Sequence, residues 1–328
     1  MMSLFAEILG TGRAVPEKVL TNADLEKMVD TTDEWITERT GIKERRIGDE
    51  KTTASSLGTE AALKAMEMAG VTADELDLIL VATVTPDMPF PSASCMVQKN
   101  LEAWKAAALD LGAGCTGFIY GLSVADGFIK SGQAKTILLV GVEILTKITD
   151  WTDRSTCVLF GDGAGAVVLQ ASSNGRGLLG TFIAADGRLG DKLSMPAGGS
   201  LVPATHESVE KKLHCLKMEG NAIFKVAVEA MGEASIKILE QVKMKPEQID
   251  ILIPHQANLR IIQATAKRLK LPMEKVYVNI DRYGNTSSAS IPIALDEVRR
   301  SDLYRPGMKI LLVAFGAGLT WGSAVVTI

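Results

Sequence analysis

The sequence has little of what marks secreted, membrane-bound or nucleic-acid-binding proteins. Its four cysteines, at positions 95, 115, 157 and 215, show neither a CxxC pair nor regular spacing, which argues against a disulfide framework or a zinc knuckle. No window approaches the roughly 18 uncharged apolar residues of a membrane span, and the first residues lack the pattern of a signal peptide. The formal net charge of −4 disfavours general nucleic-acid binding. We therefore expect a reduced, cytoplasmic protein that binds neither membranes nor nucleic acids.

Histidine is scarce as well, and glycine-rich nucleotide motifs are missing. Two of the three histidines, His206 and His214, lie near Cys215 in an irregular region, but their spacing fits no standard ligand pattern, so we predict no metal site. The run FGDGAGA at 160–166 is neither GxGxxG nor a phosphate-binding loop, and strand-like residues follow it. It predicts a turn that enters a buried strand and gives no support to a nucleotide or redox cofactor.

Composition and pattern predict a two-part α/β enzyme. A chain of 328 residues exceeds the size at which one core usually keeps growing, and 47% hydrophobic against 23% charged residues is typical of a well-buried globular protein. Apolar runs alternate with helical stretches, which predicts sheets covered by helices, with ligand chemistry beyond the strand ends. The predicted strands lie near 78–84, 107–111, 136–142, 249–253, 276–280 and 309–315. The predicted helices lie near 53–69, 92–102, 115–131, 219–242, 257–270 and 287–300.

The second half of the sequence resembles the first. The matched segments are 76–80 with 249–253, 137–140 with 310–313, 114–117 with 284–287, and 165–168 with 323–326. Four pairs in the same order, at offsets of 173, 173, 170 and 158, indicate an internal duplication. We predict two pseudo-symmetric βαβαβ halves, residues 1–173 and 174–328, with a connection rich in glycine and proline over 172–217.

Cys115 is the candidate nucleophile. It lies in the run GCTG at 114–117, directly before a long and almost charge-free helix. A thiol at the first turn of a helix faces free backbone N–H groups and the positive end of the dipole, so we expect the thiolate to be favoured. The flanking glycines let a substrate carbonyl approach the backbone. A lone cysteine is also often a small buried apolar residue, so other parts of the sequence must decide.

Two further segments place polar side chains at turns. His255 follows an apolar strand in the run PHQAN at 254–258, where α/β enzymes place reactive groups. Asn285, in GNTS at 284–287, has the residue type of a helix N-cap, and the duplication predicts that it faces Cys115 from an equivalent helix start.

With these residues, the chain strongly resembles the β-ketoacyl-acyl carrier protein synthase III family of thiolase-fold condensing enzymes. The resemblance runs nearly end to end and includes TNADL at 21–25, DEWI at 33–36, RTGI at 39–42, FGDGAG at 160–165, PHQAN at 254–258, GNTS at 284–287 and TWGS at 320–323. It implies a thiolase-like fold stacked in α-β-α-β-α layers. One departure is Gly114, where the family usually has alanine; we expect a looser turn and no loss of a reacting group.

The resemblance implies that Cys115, His255 and Asn285 form the catalytic set. Cys115 would take the acyl group from a short acyl-CoA, with acetyl-CoA as the expected primer and the N–H groups of Cys115 and Gly318 as the oxyanion hole. Malonyl-acyl carrier protein would then lose CO₂ while His255 and Asn285 donate hydrogen bonds to its thioester carbonyl. The condensation would give 3-oxoacyl-acyl carrier protein and initiate bacterial type II fatty-acid synthesis. No cofactor is implied, since coenzyme A enters as a substrate thioester.

The family resemblance also assigns binding residues around the cysteine. Trp35 and Arg154 would hold the CoA adenine, with Arg39 near a phosphate and Asn258 in the same site. Phe90 matches a position that reaches the acyl pocket of the partner subunit in a homodimer, where a bulky ring favours acetyl and other short primers.

A basic face is predicted on the helix after His255. Arg260, Lys267 and Arg268 are spaced i, i+7 and i+8, which puts them on one side of that helix, and Lys225 adds to the patch. A charged face is usually only solvated. On an acidic protein, beside the implied tunnel mouth, it suits the docking of a strongly acidic acyl carrier protein.

Three alternatives remain open on the sequence alone. A thiolase would need a second cysteine in the C-terminal catalytic loops, but Gly, Ala and Gly stand at 316–318 and Cys215 lies well before them. A type III polyketide synthase would share the Cys-His-Asn set and use only CoA substrates. A catalytically inactive acyl-binding scaffold is the alternative outside the enzymes, and acyl transfer onto Cys115 would exclude it.

Overall fold

The computed structural model describes residues 4–328, which form thirteen β-strands and eleven α-helices. The strands are β1 (Phe5–Ala14), β2 (Val19–Thr21), β3 (Glu44–Arg46), β4 (Leu78–Ala82), β5 (Ala107–Leu111), β6 (Thr136–Ile144), β7 (Asp162–Ser172), β8 (Gly177–Ala185), β9 (Leu193–Ser194), β10 (Lys217–Met218), β11 (Ile251–Pro254), β12 (Lys309–Gly316) and β13 (Thr320–Thr327). The helices are α1 (Asn22–Leu25), α2 (Asp33–Thr40), α3 (Ala54–Ala69), α4 (Ala93–Leu101), α5 (Gly117–Lys130), α6 (Arg154–Cys157), α7 (His206–Glu210), α8 (Gly220–Gln241), α9 (Leu259–Arg268), α10 (Ile280–Tyr283) and α11 (Ser290–Arg299). Within this part of the chain, no helix is both long enough and apolar enough to cross a membrane.

Nine of the strands form two sheets of similar design. The first has the order β1-β7-β6-β4-β5, with β6, β4 and β5 parallel and with β7 and β1 antiparallel to their neighbours. The second has the order β11-β12-β13-β8, with β11 and β12 parallel and with β13 and β8 antiparallel to their neighbours. The predicted boundary at residue 173 falls between the last strand of the first sheet and the first strand of the second.

Three layers of helices enclose the two sheets. Helices α5 and α11 lie between the sheets and share one apolar core with both; Phe118 and Leu122 of α5 and Leu295 of α11 are fully buried there. Helices α3 and α4 cover the outer face of the first sheet, and α8 and α9 cover the outer face of the second. A helix between two sheets buries most of its circumference, which explains the almost charge-free sequence of α5. The predicted α-β-α-β-α arrangement is confirmed.

The strand register supports the duplication residue by residue. Leu78 of β4 pairs with Ile137 of β6, and Ile251 of β11 pairs with Ile310 of β12. Each residue of the second pair lies 173 positions after its counterpart in the first. Because a slip of one residue would turn every side chain to the opposite face, equal register keeps the same side chains buried in both sheets.

The prediction of a strand near 276–280 is wrong. Val276 makes a single bridge to β11, and the second sheet has four strands where the first has five. The side chain of Gln256 takes the position of a strand partner, since its Nε2 donates to Tyr277 O at 3.2 Å and its Oε1 accepts from Asn279 N at 3.0 Å. These backbone groups are therefore paired without a strand ladder.

The segment 172–217 is more than the predicted connection, because it contains β8, which pairs with β13 and completes the second sheet. Gly177 begins this strand with φ +112°. A Cβ on Gly177 would lie 2.4 Å from Ala6 O, so this glycine permits close contact with β1. Glycine at this position allows close packing inside a strand. A glycine-rich composition does not by itself distinguish such a strand from a loop.

Candidate active site

Cys115, His255 and Asn285 line one cavity of about 460 Å³. Cys115 lies between β5 and α5, His255 directly follows β11, and Asn285 lies between α10 and α11. Two of the three residues therefore precede the helices that lie between the sheets. The rest of the wall is mostly apolar and comes largely from the second half of the chain. The structure thus brings the three predicted residues to the wall of the same cavity.

Gly114 sets the shape of the cysteine turn. It has φ +53°, in the left-handed region that glycine favours, and a Cβ on it would lie 2.9 Å from Ala317 N. On the facing loop, a Cβ on Gly316 would lie 2.5 Å from Cys115 N. The expectation of a loose turn is therefore wrong, because glycine at 114 lets the 3₁₀ turn Gly114–Thr116 pack tightly against the β12–β13 loop.

The pKa of the Cys115 thiol is raised, which runs against the expectation of a favoured thiolate. Burial is the main cause and raises the pKa of Cys115 to about 12; a hydrogen bond with Ser287 lowers it, and the charge of Glu143 raises it. A helix N-terminus contributes about 0.3–1 kcal/mol. That is less than the roughly 1.4 kcal/mol of a single pKa unit, so burial dominates.

His255 is neutral and its tautomer is set by a neighbour. Burial lowers its pKa to about 3. Its Nδ1 lies 2.7 Å from Ser290 Oγ, and the same oxygen accepts a hydrogen bond from Gln256 N at 3.3 Å. We assign the Ser290 proton to Nδ1, which leaves the ring hydrogen on Nε2. The imidazole can then donate one hydrogen bond without carrying a charge.

The amide of Asn285 is oriented in the same way. Its Oδ1 accepts a hydrogen bond from Ser287 N at 2.9 Å, so its Nδ2 remains as the donor. Its backbone is held by the turn before β7, because Asn285 N donates to Leu159 O at 2.8 Å and Gly161 N donates to Asn285 O at 3.0 Å. The FGDGAGA run thus enters a buried strand, as predicted, and also supports Asn285.

The structural counterpart of Cys115 is Ser288. Helices α5 and α11 begin 173 positions apart, and each follows directly on a three-residue 3₁₀ turn. Cys115 is the middle residue of the first turn and Ser288 is the middle residue of the second. The predicted equivalence of Cys115 and Asn285 is therefore wrong by three residues, although both line the cavity.

The β12–β13 loop brings Ala317 to the cavity, and Gly318 lies outside its wall. Gly316 and Ala317 line the cavity, whereas Gly318 is exposed to solvent. Gly318, which was predicted as an oxyanion-hole donor, is thus absent from the cavity wall, and Ala317, one residue earlier, lines it. Because the predicted donor is a backbone N–H group, the sequence Gly-Ala-Gly does not show which of its residues would supply it.

The predicted CoA residues are neighbours at the cavity mouth. The guanidinium carbon of Arg154 lies 5.0 Å from the Trp35 ring centroid, and that of Arg39 lies 5.6 Å from it. Trp35, Arg39 and Asn258 line the cavity, and Asn258 Nδ2 donates to Arg39 O at 3.0 Å. A ring cannot enter a gap of 5.0 Å between two stacked groups, so Arg154 must swing aside before an adenine can take its predicted place.

The four residues predicted to dock a carrier protein are exposed on α8 and α9, and we call them the basic surface. Arg260 lies at the cavity wall with its guanidinium carbon 5.5 Å from the Phe224 ring centroid. Lys267 and Arg268 lie on the same helix, and Lys225 lies on α8. The basic surface therefore adjoins the cavity mouth.

Phe90 projects from the loop between β4 and α4 and is 84% exposed. Met88 in the same loop and Leu109 on β5 are 41% and 42% exposed. Strand β5 is at the edge of its sheet. An edge strand beside exposed apolar side chains forms a surface that proteins usually cover.

The region of His206 and His214 shows no site. Both histidines are exposed, and Cys215 is buried with a pKa raised mainly by that burial. Across residues 4–328, no three His, Cys, Asp or Glu side chains are grouped so that they could hold a metal ion.

Glu143 is a site residue that the sequence analysis missed. It is fully buried on β6, and burial raises its pKa. Its Oε2 accepts from Val84 N and Thr85 Oγ1, and its Oε1 accepts from Ser287 Oγ and Ser288 Oγ, both at 3.0 Å. One carboxylate thus joins the loop after β4 to the turn before α11. The available signal was a charged residue inside an otherwise apolar strand.

A layered thiolase fold with a cysteine before an inner helix, and with a histidine and an amide on the same cavity, defines the class of thiolase-fold condensing enzymes. The family described as 3-Oxoacyl-[acyl-carrier-protein (ACP)] synthase III matches residues 109–187, and its C-terminal counterpart matches residues 239–328. The chain belongs to the β-ketoacyl-acyl carrier protein synthase III family.

Individual relatives are similar to this chain over nearly its full length. A β-ketoacyl-[acyl-carrier-protein] synthase III of Caldanaerobacter subterraneus subsp. tengcongensis is 59% identical over 321 residues, covering 98% of this chain and 97% of that protein. The crystal structure of 3-oxoacyl-[acyl-carrier-protein] synthase III from Aquifex aeolicus has a TM-score of 0.91 at 49% identity, covering 98% of this chain and 100% of that one. The priming β-ketosynthase of the R1128 polyketide pathway has a TM-score of 0.92 at 35% identity, covering 99% and 96%.

Proposed function

We propose that this enzyme catalyses the decarboxylating Claisen condensation of a short acyl-CoA with malonyl-acyl carrier protein, which initiates bacterial type II fatty-acid synthesis. The product is a 3-oxoacyl-acyl carrier protein, and it is the acetoacetyl form when the primer is acetyl. The observation that carries the proposal is the convergence of Cys115, His255 and Asn285 on one cavity beside the basic surface.

In the first half-reaction, Cys115 Sγ attacks the thioester carbon of acyl-CoA. The bond from that carbon to the CoA sulfur breaks, and the proton released by the thiol balances the proton that the departing CoA thiolate takes up. The N–H groups of Cys115 and Ala317 stabilise the oxyanion, and one such donor is worth about 3–4 kcal/mol. The close approach of Gly316 to Cys115 supports this pairing of backbone groups.

In the second half-reaction, His255 Nε2 and Asn285 Nδ2 donate hydrogen bonds to the thioester carbonyl of the malonyl group. They stabilise the negative charge that builds on this oxygen as the carboxylate leaves as CO₂. The carbanion then attacks the acyl carbon, the bond to Cys115 breaks, and the departing thiolate takes up one proton from the solvent. The pKa of about 3 supports a donor whose charge stays constant through the reaction.

Neither a metal nor a redox cofactor has a role in this sequence of steps. The loss of CO₂ drives formation of the carbon–carbon bond, and coenzyme A takes part as a substrate. A thiolase would use a second cysteine at the cavity; among the described lining residues, Cys115 is the cysteine present.

The proposed partner is an acyl carrier protein that docks on the basic surface. Lys267→Glu with Arg268→Glu is expected to raise KM for malonyl-acyl carrier protein about tenfold and to leave KM for acyl-CoA unchanged, because opposite charges guide association. Lys51→Glu, an exposed lysine in the loop before α3, is the matched control. Equal rises in KM for both substrates would remove the docking assignment.

The proposed assembly is a homodimer formed through β5 and the Phe90 loop. A second copy would cover the edge strand and the 84% exposed ring of Phe90. In this arrangement Phe90 shortens the acyl pocket of the partner subunit and selects acetyl and other short primers. Phe90→Ala should therefore shift primer preference toward longer acyl-CoAs, measured by competition between chain lengths, and an unchanged preference would contradict this role.

A product assay tests the function itself. The purified chain is incubated with acetyl-CoA and either malonyl-acyl carrier protein or malonyl-CoA. We expect acetoacetyl-acyl carrier protein, CO₂ and free CoA in equal amounts, and little product from malonyl-CoA. Efficient extension with malonyl-CoA would indicate polyketide synthase activity, and acetoacetyl-CoA formed from acetyl-CoA alone would indicate a thiolase.

A further inference from the structure

Two threonine hydroxyls lie between the cysteine turn and the Ala317 loop. Thr116 Oγ1 and Thr320 Oγ1 are 2.6 Å apart, although the residues are 204 positions apart in sequence. Thr320 Oγ1 also lies 3.0 Å from Ala113 O and 3.0 Å from Ala317 O. Ala113 precedes the cysteine turn, and Ala317 lines the cavity on the facing β12–β13 loop. The Thr320 hydroxyl therefore contacts the backbone on both sides of Cys115.

The hydroxyl protons can be assigned by counting donors and acceptors. Each threonine supplies one proton, and a backbone carbonyl can only accept. The proton of Thr320 therefore goes to Ala317 O or Ala113 O, or is shared between them. Thr116 must then donate to Thr320, because a 2.6 Å contact between two oxygens needs one proton between them. The result is a directed chain from Thr116 through Thr320 to the backbone on both sides.

This chain constrains the backbone direction at Ala317. The carbonyl and the N–H of one residue are linked through only two rotatable angles, so fixing the carbonyl limits where the N–H points. Thr116 is fully buried, and the Thr320 contacts are partly buried, so water competes little for these bonds. Neither hydroxyl is needed for the antiparallel pairing of β12 with β13, which is made by backbone groups.

We propose that Thr116 and Thr320 are positioning residues that hold the two halves of the oxyanion hole at a fixed separation. The proposal rests on the function proposed above. The hydroxyls act through the backbone of Ala317 and of the cysteine turn and do not touch the substrate. A displacement of about 1 Å in such a site can cost about a hundredfold in rate, so the loss of the link should be measurable.

The experiment separates the two half-reactions. Thr320→Val keeps the shape of the side chain and removes its hydroxyl. We expect the rate constant for acylation of Cys115 by acetyl-CoA to fall at least about tenfold, with little change in KM. Decarboxylation of malonyl-acyl carrier protein should stay within about twofold, because His255 and Asn285 are untouched. Thr320→Ser retains the hydroxyl and should restore most of the acylation rate.

A matched control lies three residues further along β13. Ser323→Ala removes a fully buried hydroxyl that donates to Ala234 O at 2.7 Å, away from the cavity wall, and should leave the acylation rate unchanged. Thr116→Val should also lower the rate constant for acylation of Cys115, as Thr320→Val does.

Two outcomes would overturn the inference. Unchanged acylation in Thr320→Val would show that the hydroxyl does not position the hole. Equal losses in acylation and decarboxylation would indicate a general packing role. If the wild-type chain takes up no acetyl group on Cys115, the proposed function fails and this inference fails with it.

Discussion

The turns before α5 and α11 occupy equivalent places, 173 positions apart, and each begins with a residue in the left-handed region. In the first turn that residue is Gly114, with φ +53°, and in the second it is Ser287, with φ +49°. Glycine fits the first turn because a Cβ there would lie only 2.9 Å from Ala317 N. In the second turn the Ser287 hydroxyl has room and donates to Glu143 at 3.0 Å.

The middle residues of the two turns show how the duplicate diverged. Cys115 lines the cavity. Ser288 Oγ instead lies 2.9 Å from Ala82 O and 3.0 Å from Glu143 Oε1, which share its one proton, so this hydroxyl anchors the fold. The residue beside this second turn that lines the cavity is Asn285, three residues earlier. Symmetry therefore predicts the scaffold of the site and does not predict which residue performs the chemistry.

The largest contrast is expected between Cys115→Ala and Ser288→Ala. The first should abolish uptake of labelled acetyl groups while part of the malonyl decarboxylation survives, because His255 and Asn285 remain. The second should keep acylation but lower the free energy of unfolding by about 1–3 kcal/mol, since two buried acceptors lose a donor. Acetyl labelling and denaturant unfolding measure the two effects. Decarboxylation that disappears with the thiol and persists in His255→Ala would reverse the assigned roles.

A smaller effect is expected when each of the two residues with positive φ, Gly114 and Ser287, is substituted. Gly114→Ala places a side chain at φ +53° against Ala317 and should lower the free energy of unfolding by about 1–3 kcal/mol, with slower acylation. Ser287→Gly relieves its own backbone and loses the bond to Glu143, so its net effect should be smaller. Denaturant unfolding of both variants tests this, and a harmless Gly114→Ala would contradict the tight packing.

The smallest change is expected in the acidity of the thiol. Because the Glu143 charge raises the pKa of Cys115, Glu143→Gln should lower that pKa, and alkylation at a fixed pH between 8 and 9 should become several-fold faster. The rate of iodoacetamide modification against pH measures the shift, with Glu60→Gln on the surface as a control. A profile that stays in place would show that Glu143 acts only as a hydrogen-bond anchor.

Local pattern predicted most of the fold. Alternating apolar and helical runs located both sheets and the inner helices, since burial of an inner helix leaves a visible deficit of charge. The prediction failed where distant contacts replace local ones. The segment near 276–280 pairs with the side chain of Gln256, and the glycine at the start of β8 serves contact with β1.

The residues of the candidate site also divide into those that a local motif predicts and those whose contacts are distant in sequence. Cys115, His255 and Asn285 could be predicted as candidates because their motifs are local, and all three line one cavity. The contacts of Glu143 and Thr320 were not predicted, because their partners lie up to 207 positions away in the sequence. Ala317 lines the cavity one residue before the predicted Gly318, and a backbone donor has no side-chain signature that would distinguish the two.

Peptide mapping after incubation with acetyl-CoA alone decides whether Cys115 carries the acyl group. The chain should gain one acetyl group, on the peptide that contains Cys115, and hydroxylamine should release it as expected for a thioester. The Cys115→Ser chain should gain none that hydroxylamine releases in this way. An acetyl group found on another residue, or a thioester on Cys115 that malonyl-acyl carrier protein does not discharge as acetoacetyl-acyl carrier protein, would contradict the mechanism.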